Sequence, residues 1–471
     1  MPATIPLVLI LSLNLGCSDK EIDPGDGGGD GGGGDGGTSG PECTEDTDCG
    51  SGEICEEDAC VDGDRNNSVD EAERLLWEDT VSGVINPVGD VDYFVFTADG
   101  GEWVRLRTTL TDPELGDTAI TLRTAAGKVV TSSDNYPTGG SSSSSDATIY
   151  AYLSQAGDYV VEVEDQGGYN GNGEDLGDPD YAYTLELLTW NQVTEEPDGI
   201  GSPSIELEIP GANTFYPLGA LLETEGDVDV VEITVGLSSS NFWLYGMLDL
   251  SGSDAEPSVR LWSEDEELLV QRSGVGEGGY AWYPYLPAGT YTVELFDADL
   301  GGGADHWFFL FPIAFEPADS YPFEAEPNDD QAGAQALEMT TTTTSGGSTY
   351  GYGNATGHID SAGDEDWYRV PARSGAELVV CLSAAIGGSL ATPDIEVYDN
   401  SGALVASGAG TASTLPNASV EDIVMGSGDY TIRIVDPDGS YAGAGAWYRM
   451  VVYAADFEVG TYAEGGYSCP S

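Results

Sequence analysis

Positive charge is scarce in this sequence: 13 Lys and Arg stand against 84 Asp and Glu, a formal net charge of -71. Binding nucleic acid requires Lys and Arg to neutralise phosphates, and no run of either occurs, so a nucleic-acid partner is excluded. Histidine is nearly missing too, with only His306 and His358 present. That leaves little from which to build a His-based nucleophile or a zinc catalyst, and neither H-E-x-x-H nor G-x-S-x-G occurs. His306 reads as a strand position and His358 as a loop position. Acids suffice in number for a paired-carboxylate hydrolase, yet nothing singles out one acid of raised pKa in a pocket. The chain reads as a protein that is not an enzyme. Apolar runs are short as well and are separated by Ser, Thr, Asp, Asn and 66 Gly, a pattern that predicts an all-β fold.

The one long apolar stretch, residues 5–15 (IPLVLILSLNL), falls short of the roughly 20 residues a spanning helix needs and suits the h-region of a signal peptide. It runs into Gly16 and Cys17, which resembles a bacterial lipobox and makes Cys17 the expected site of lipidation. Ser18 after that cysteine is similar to lipoproteins sorted to the outer membrane, facing periplasm or exterior. A Gly and Asp tract follows as an expected disordered tether. Cys43, Cys49, Cys55 and Cys60 then fall within one short segment, too small to build a core. In an oxidising compartment they read as two disulfides of open connectivity. Zinc is the rival reading, but no His lies nearby and C-x-x-C spacing is absent. Cys381 and Cys469 form a further expected pair.

Three landmarks recur in constant order. The first is GDxD running into a strand, at Gly89 (GDVDYFVF), Gly226 (GDVDVVEI) and Gly363 (GDEDWYRV), which sets Asp90, Asp227 and Asp364 each 137 residues apart. The second is an alternating strand and turn, from Ala119 (AITLRTAAGKVV), Ser258 (SVRLWSEDEELLV) and Asp394 (DIEVYDNSGALV). The third is a G-x-Y strand that ends at Asp165, Asp297 and Asp436. Alternation along these strands predicts one buried face each, hence antiparallel sheets packed face to face in jelly-roll-like β-sandwiches. The expected organisation is a lipoprotein signal peptide over 1–17, linker over 18–42, disulfide cluster over 43–60, and sandwiches over 61–190, 191–316 and 317–471.

Taken together, the landmarks resemble the bacterial pre-peptidase C-terminal (PPC) domain, a family related to the collagen-binding modules of clostridial collagenases. The third repeat carries the fullest pattern, from EAEPNDDQAGAQAL at Glu324 to SGDYTIRIVD. In the first, DGDRNNSVDEAERL from Asp62 matches it in register: aligning Asn66 with Asn328 also aligns Ala72 with Ala334 and Leu75 with Leu337. The second is degenerate, offering Glu196 and Asp198 but having Thr194 and Gly199 where the third has Glu324 and Asp329.

The resemblance implies calcium held through an acidic lead-in segment. Candidate ligands are Glu324, Glu326, Asn328, Asp329, Asp364 and Asp366 in the third repeat, and Asp62, Asp64, Asn66, Asn67, Asp90 and Asp92 in the first. All carry oxygen, and calcium takes six to eight such ligands in flexible geometry. A plainer reading makes Asn328 or Asp329 a helix N-cap and each Gly-Asp a turn. Family members usually accompany secreted peptidases, so the resemblance implies an accessory or adhesive module. Its partners would be the membrane, through the lipid, and an extracellular protein or polysaccharide. Tyr350, Tyr352, Tyr280, Trp282, Tyr283 and Tyr285 are candidate contact aromatics, though the alternating YAWYPYLPAG reads more simply as core. The competing expectations are an acidic envelope spacer without a dedicated ligand and an accessory subunit of a secreted hydrolase.

Overall fold

The computed structural model describes residues 66–455 and Cys469, together with the backbone of 53–56 and 59–62. Within that span 114–115, 135–145, 168–175, 179, 195–202, 204, 237–240, 251, 276–279, 316–322, 344–348, 372–373, 413–415, 438 and 440 are not described, nor are a few strand side chains such as those of Tyr280 and Tyr350. Cys17, Cys43, Cys49 and Asp64, and the side chains of Cys55, Cys60 and Asp62, therefore lie outside the described residues. Cys55 and Cys60 have backbones directly opposed in the antiparallel hairpin of Glu53–Glu56 with Ala59–Asp62.

The remaining strands are arranged as three β-sandwiches of one topology. In sandwich 1 a five-stranded sheet runs in the order Glu73–Arg74, Val91–Ala98, Gly157–Asp165, Thr118–Thr124, Val129–Ser133. The corresponding sheet of sandwich 2 is Ile205–Ile209, Val228–Val235, Gly289–Asp297, Pro257–Ser263, Leu268–Arg272. That of sandwich 3 is Gln335–Ala336, Glu365–Val370, Tyr430–Val435, Asp394–Tyr398, Leu404–Gly408. The three sequence landmarks are thus neighbouring strands of one sheet, with the third landmark between the first and second. A short lead-in strand pairs with the first in parallel.

The second sheet of each sandwich holds the chain's other long strands. It contains Asp79–Val84, Ala182–Thr189, Glu102–Leu110 and Thr148–Leu153 in sandwich 1. Sandwich 2 has Leu218–Leu221, Trp307–Phe315, Asn241–Asp249 and Tyr280–Trp282, with Tyr285–Pro287 also on Asn241–Asp249. Sandwich 3 has Thr340–Thr343, Thr349–His358, Trp447–Ala455, Glu377–Ser383 and Ala418–Val424.

Alternation explains the cores. In Val91–Ala98 every second residue, Asp92, Phe94, Phe96 and Ala98, is buried while Val91, Tyr93, Val95 and Thr97 are not, as the period of two in a strand requires. Facing strands of the other sheet supply Val104, Leu106, Leu185 and Leu187 to the same core. The second Asp of each landmark falls in this inward register, so a carboxylate is carried to the end of an otherwise apolar core.

Two compact units divide the chain, 1–191 and 192–471. Within the second, sandwiches 2 and 3 are packed together. Tyr283 meets Trp447 edge-on at 5.4 Å, Tyr285 stacks on Phe323 at 5.4 Å, and Arg449 lies over the Trp243 ring at 5.6 Å. Backbone bonds cross as well: Gln271 N–H donates to the Gly388 carbonyl at 3.0 Å and Tyr283 N–H to Gly387 at 3.1 Å. Cys381 and Cys469 are joined by a disulfide and pack with Val379, Val451 and Tyr453 on sandwich 3. Among the described residues no helix is long and apolar enough to cross a membrane.

Candidate acidic site

The lead-in segment of sandwich 3 is tied to the sheets by its backbone. Glu324 N–H donates to the Thr356 carbonyl at 2.9 Å, and the Asn328 carbonyl accepts from Trp367 N–H at 3.1 Å. This brings Glu324, Glu326 and Asp366 together, with one carboxylate oxygen from each lying within 4.8 Å of the others. Glu324 Oε1 accepts from His358 N–H at 2.6 Å, and Oε2 accepts from the Tyr448 hydroxyl at 3.0 Å and that of Tyr368 at 3.4 Å. The two phenols meet at 2.7 Å. Glu326 Oε2 takes the Asn328 N–H at 3.0 Å.

Burial raises the pKa of both Glu324 and Asp366, and each gains a further push from a neighbouring carboxylate, Glu326 on the first and Glu324 on the second. Glu326 is raised by burial and then by the charges of Asp364 and Asp329. A cation placed among crowded carboxylates of this kind favours their ionised form. The guanidinium of Arg369 is directed elsewhere, 4.0 Å from Asp429.

Other candidates have plainer jobs. Asp364 accepts from Asp360 N–H at 2.6 Å and from Glu365 N–H at 3.0 Å. Asp90 accepts from Asn86 N–H at 2.9 Å and Asp227 from Glu223 N–H at 2.7 Å, so the first Asp of every landmark closes the same turn. Asn328 is buried and uses its carbonyl as described; Asp329 is exposed, with its pKa raised. In sandwich 1 the Asn66 carbonyl accepts from Tyr93 N–H at 2.7 Å, the counterpart of the Asn328 bond, while Asn67 is exposed. Asp92 is fully buried and accepts from the Tyr183 hydroxyl. Because Asp62 and Asp64 lack described side chains, four of the six residues of that candidate set can be placed.

Sandwich 2 departs in an instructive way. Thr194 holds the Glu324 position by backbone pairing, its N–H donating to the Gly219 carbonyl at 2.9 Å, and its hydroxyl donates to buried Asp229 at 2.8 Å. A different trio, Glu223, Asp227 and Asp229, gathers there instead. Glu223 was not among the residues expected from sequence; the available signal was its place four residues before Asp227. Also missed were Asp165, Asp297 and Asp436, whose carboxylates each accept loop N–H groups, such as Gly167 at 2.9 Å, Asp299 at 2.8 Å and Tyr441 at 3.4 Å. Their signal was recurrence at the end of the third landmark.

The candidate contact aromatics are mostly packing groups. Trp282 is fully buried, Tyr283 is buried against Trp447, and Tyr352 packs on Tyr453 at 5.4 Å.

No protein-family model and no curated protein matches this chain. Among solved structures it is similar to a protein of Eubacterium rectale described as secreted (11% identical, covering 55% of this chain and 81% of that one, TM-score 0.18). It is also similar to the CUB1-EGF-CUB2 domains of rat MASP-1 (10% identical, 52% and 98% covered, TM-score 0.17). A third is the M60 catalytic domain with CBM51 domains of Clostridium perfringens ZmpB (10% identical, 78% and 55% covered, TM-score 0.16). At such scores these likenesses carry no argument about function.

Proposed function

We propose that this chain is an exported, lipid-anchored envelope protein, not an enzyme, whose sandwiches are PPC-like binding or adhesion modules stiffened by calcium. The observation that carries the metal reading is the convergence of Glu324, Glu326 and Asp366 within 4.8 Å. Calcium rather than zinc suits a set made wholly of hard oxygens without thiolate or imidazole, and carboxylates on a loop and a strand can adapt to its flexible coordination. Sandwich 3 is the principal site, and sandwich 2, with Thr194 in place of the first glutamate, is a weaker one or a spacer.

An ion bound only by the folded state raises its stability by mass action, about 2.7 kcal/mol at a hundredfold excess over Kd. The test is the melting temperature of the full chain in EDTA, calcium and magnesium. Calcium should raise the transition of the 192–471 unit by several degrees, and Glu324→Gln with Asp366→Asn should abolish the rise. Equal melting in calcium and EDTA sinks the metal reading and favours the acidic spacer.

A further inference from the structure

Each sandwich places an arginine in the same region, the solvent side of its five-stranded sheet. Arg123 pairs with Glu162 at 2.8 Å, Arg260 with Glu294 at 3.1 Å, and Arg433 with Glu396 at 2.6 Å. In register, Glu162, Glu294 and Arg433 occupy one strand position, each three residues before the Asp that ends the third landmark. Between sandwiches 2 and 3 the cation and anion have therefore changed places across one register, Arg260 opposite Glu294 and Glu396 opposite Arg433, while in sandwich 1 Thr121 stands opposite Glu162 and Arg123 reaches it from two residues along. A partly exposed aromatic ring accompanies every pair. Tyr93 stands directly opposite Glu162 on the neighbouring strand, Trp262 Nε1 donates to Glu294 at 3.1 Å, and the Tyr398 hydroxyl donates to Glu396 at 2.5 Å.

Weak cross-strand ion pairing explains part of this, but an ion pair needs no ring beside it. Sandwich 3 elaborates the arrangement further. Trp367 lies 5.1 Å from Tyr398 with Arg433 over it at 6.0 Å. Beside Tyr398 an open polar groove of about 330 Å³ runs between the Asp399 to Gly402 turn and Asp429, Thr431 and Gln331.

We infer that this sheet face is a carbohydrate-binding surface whose ligand is a neutral polysaccharide. A sugar ring offers an apolar C–H face to an aromatic side chain, and vicinal hydroxyls that accept from a guanidinium and donate to a carboxylate, which is the set repeated here. The net charge of -71 repels acidic glycans, whereas the face itself is locally balanced by its Arg. The groove has room for a sugar unit or two and lacks the apolar anchor pockets that a protein partner would fill. This inference rests on the reading of the chain as a binding module and is independent of the calcium site.

Affinity electrophoresis of the full chain tests it, in gels containing laminarin, dextran, galactomannan or the polyanion alginate, each run in calcium and in EDTA. At least one neutral polysaccharide should retard the chain and alginate should not. Tyr398→Ala with Trp262→Ala should weaken retardation about tenfold at an unchanged circular dichroism spectrum, while Tyr398→Phe, which keeps the ring, should retain it. Retardation in EDTA by a chain that calcium does not stabilise would uphold this inference while removing the metal reading. No retardation by any neutral polysaccharide, retardation by alginate alone, or Ala variants that bind like the parent would overturn it, as would binding to gelatin without binding to any glycan.

Discussion

The hydroxyl of Tyr448 occupies the space that a side chain on Gly357, its partner across two paired strands, would fill. Glu324 Oε2 shares that space. Sandwich 1 repeats the relationship with Tyr183 opposite Gly83, where Asp92 takes the phenol's hydrogen bond. In sandwich 2 the same pair is Phe308 opposite Ala220: a ring without hydroxyl leaves room for a methyl, and Thr194 supplies the missing donor to Asp229. The glycine is therefore required by the tyrosine, and the two together let a sandwich bury acid at the end of its core.

Installing the sandwich 2 pair in sandwich 3 makes this measurable. Gly357→Ala alone should overpack the site and cost about 1–3 kcal/mol. Tyr448→Phe alone should cost about 1–3 kcal/mol by stripping a donor from half-buried Glu324. The double variant should cost clearly less than the sum, because the methyl then has somewhere to go. Urea denaturation followed through the transition of the 192–471 unit gives the coupling, and strictly additive losses would show that the two residues do not share the space.

The strands were legible, though not their order in the sheet, because the landmarks combine period-two alternation with turn residues, and such strands can bury only one face. The register of the lead-in segment was legible too: Asn66 and Asn328 align in sequence and make the same carbonyl bond to the strand beside them. The phenols of Tyr368 and Tyr448 were not, since 80 residues separate them and only sheet packing joins them. Nor was the partner of YAWYPYLP. Alternation shows that Tyr283 is covered but cannot say whether its own second sheet or the next sandwich does the covering, and the cover is Trp447.

That contact predicts cooperative unfolding of sandwiches 2 and 3. Tyr283 is buried against Trp447, and Arg272 reaches across to the Ile386 carbonyl. Differential scanning calorimetry of the full chain should show a single transition for the 192–471 unit. Tyr283→Ala, at a cost of about 3–5 kcal/mol, should split it into two, one per sandwich. Two transitions already present in the parent would mean that the joint is too weak to couple them.

Acid should strengthen sandwich 1 over a defined window. Asp117 has its pKa pushed up to about 6 by burial first and then by the charges of Asp134, Asp165 and Asp146, and its Oδ1 is buried without a hydrogen-bond partner. Its unfolded value is the ordinary one near 3.8. Between those two values the folded state binds more protons than the unfolded one, so stability falls as pH rises through the window. The favourable contribution is complete below the unfolded pKa and is lost above the folded one. Lowering the pH from 7 to 5 should accordingly raise the denaturation midpoint of sandwich 1, and Asp117→Asn, which cannot ionise, should remove most of that rise while stabilising the sandwich at pH 7. A variant whose midpoint follows pH as steeply as the parent's would assign the effect to the general acidity of the chain instead of to this carboxylate.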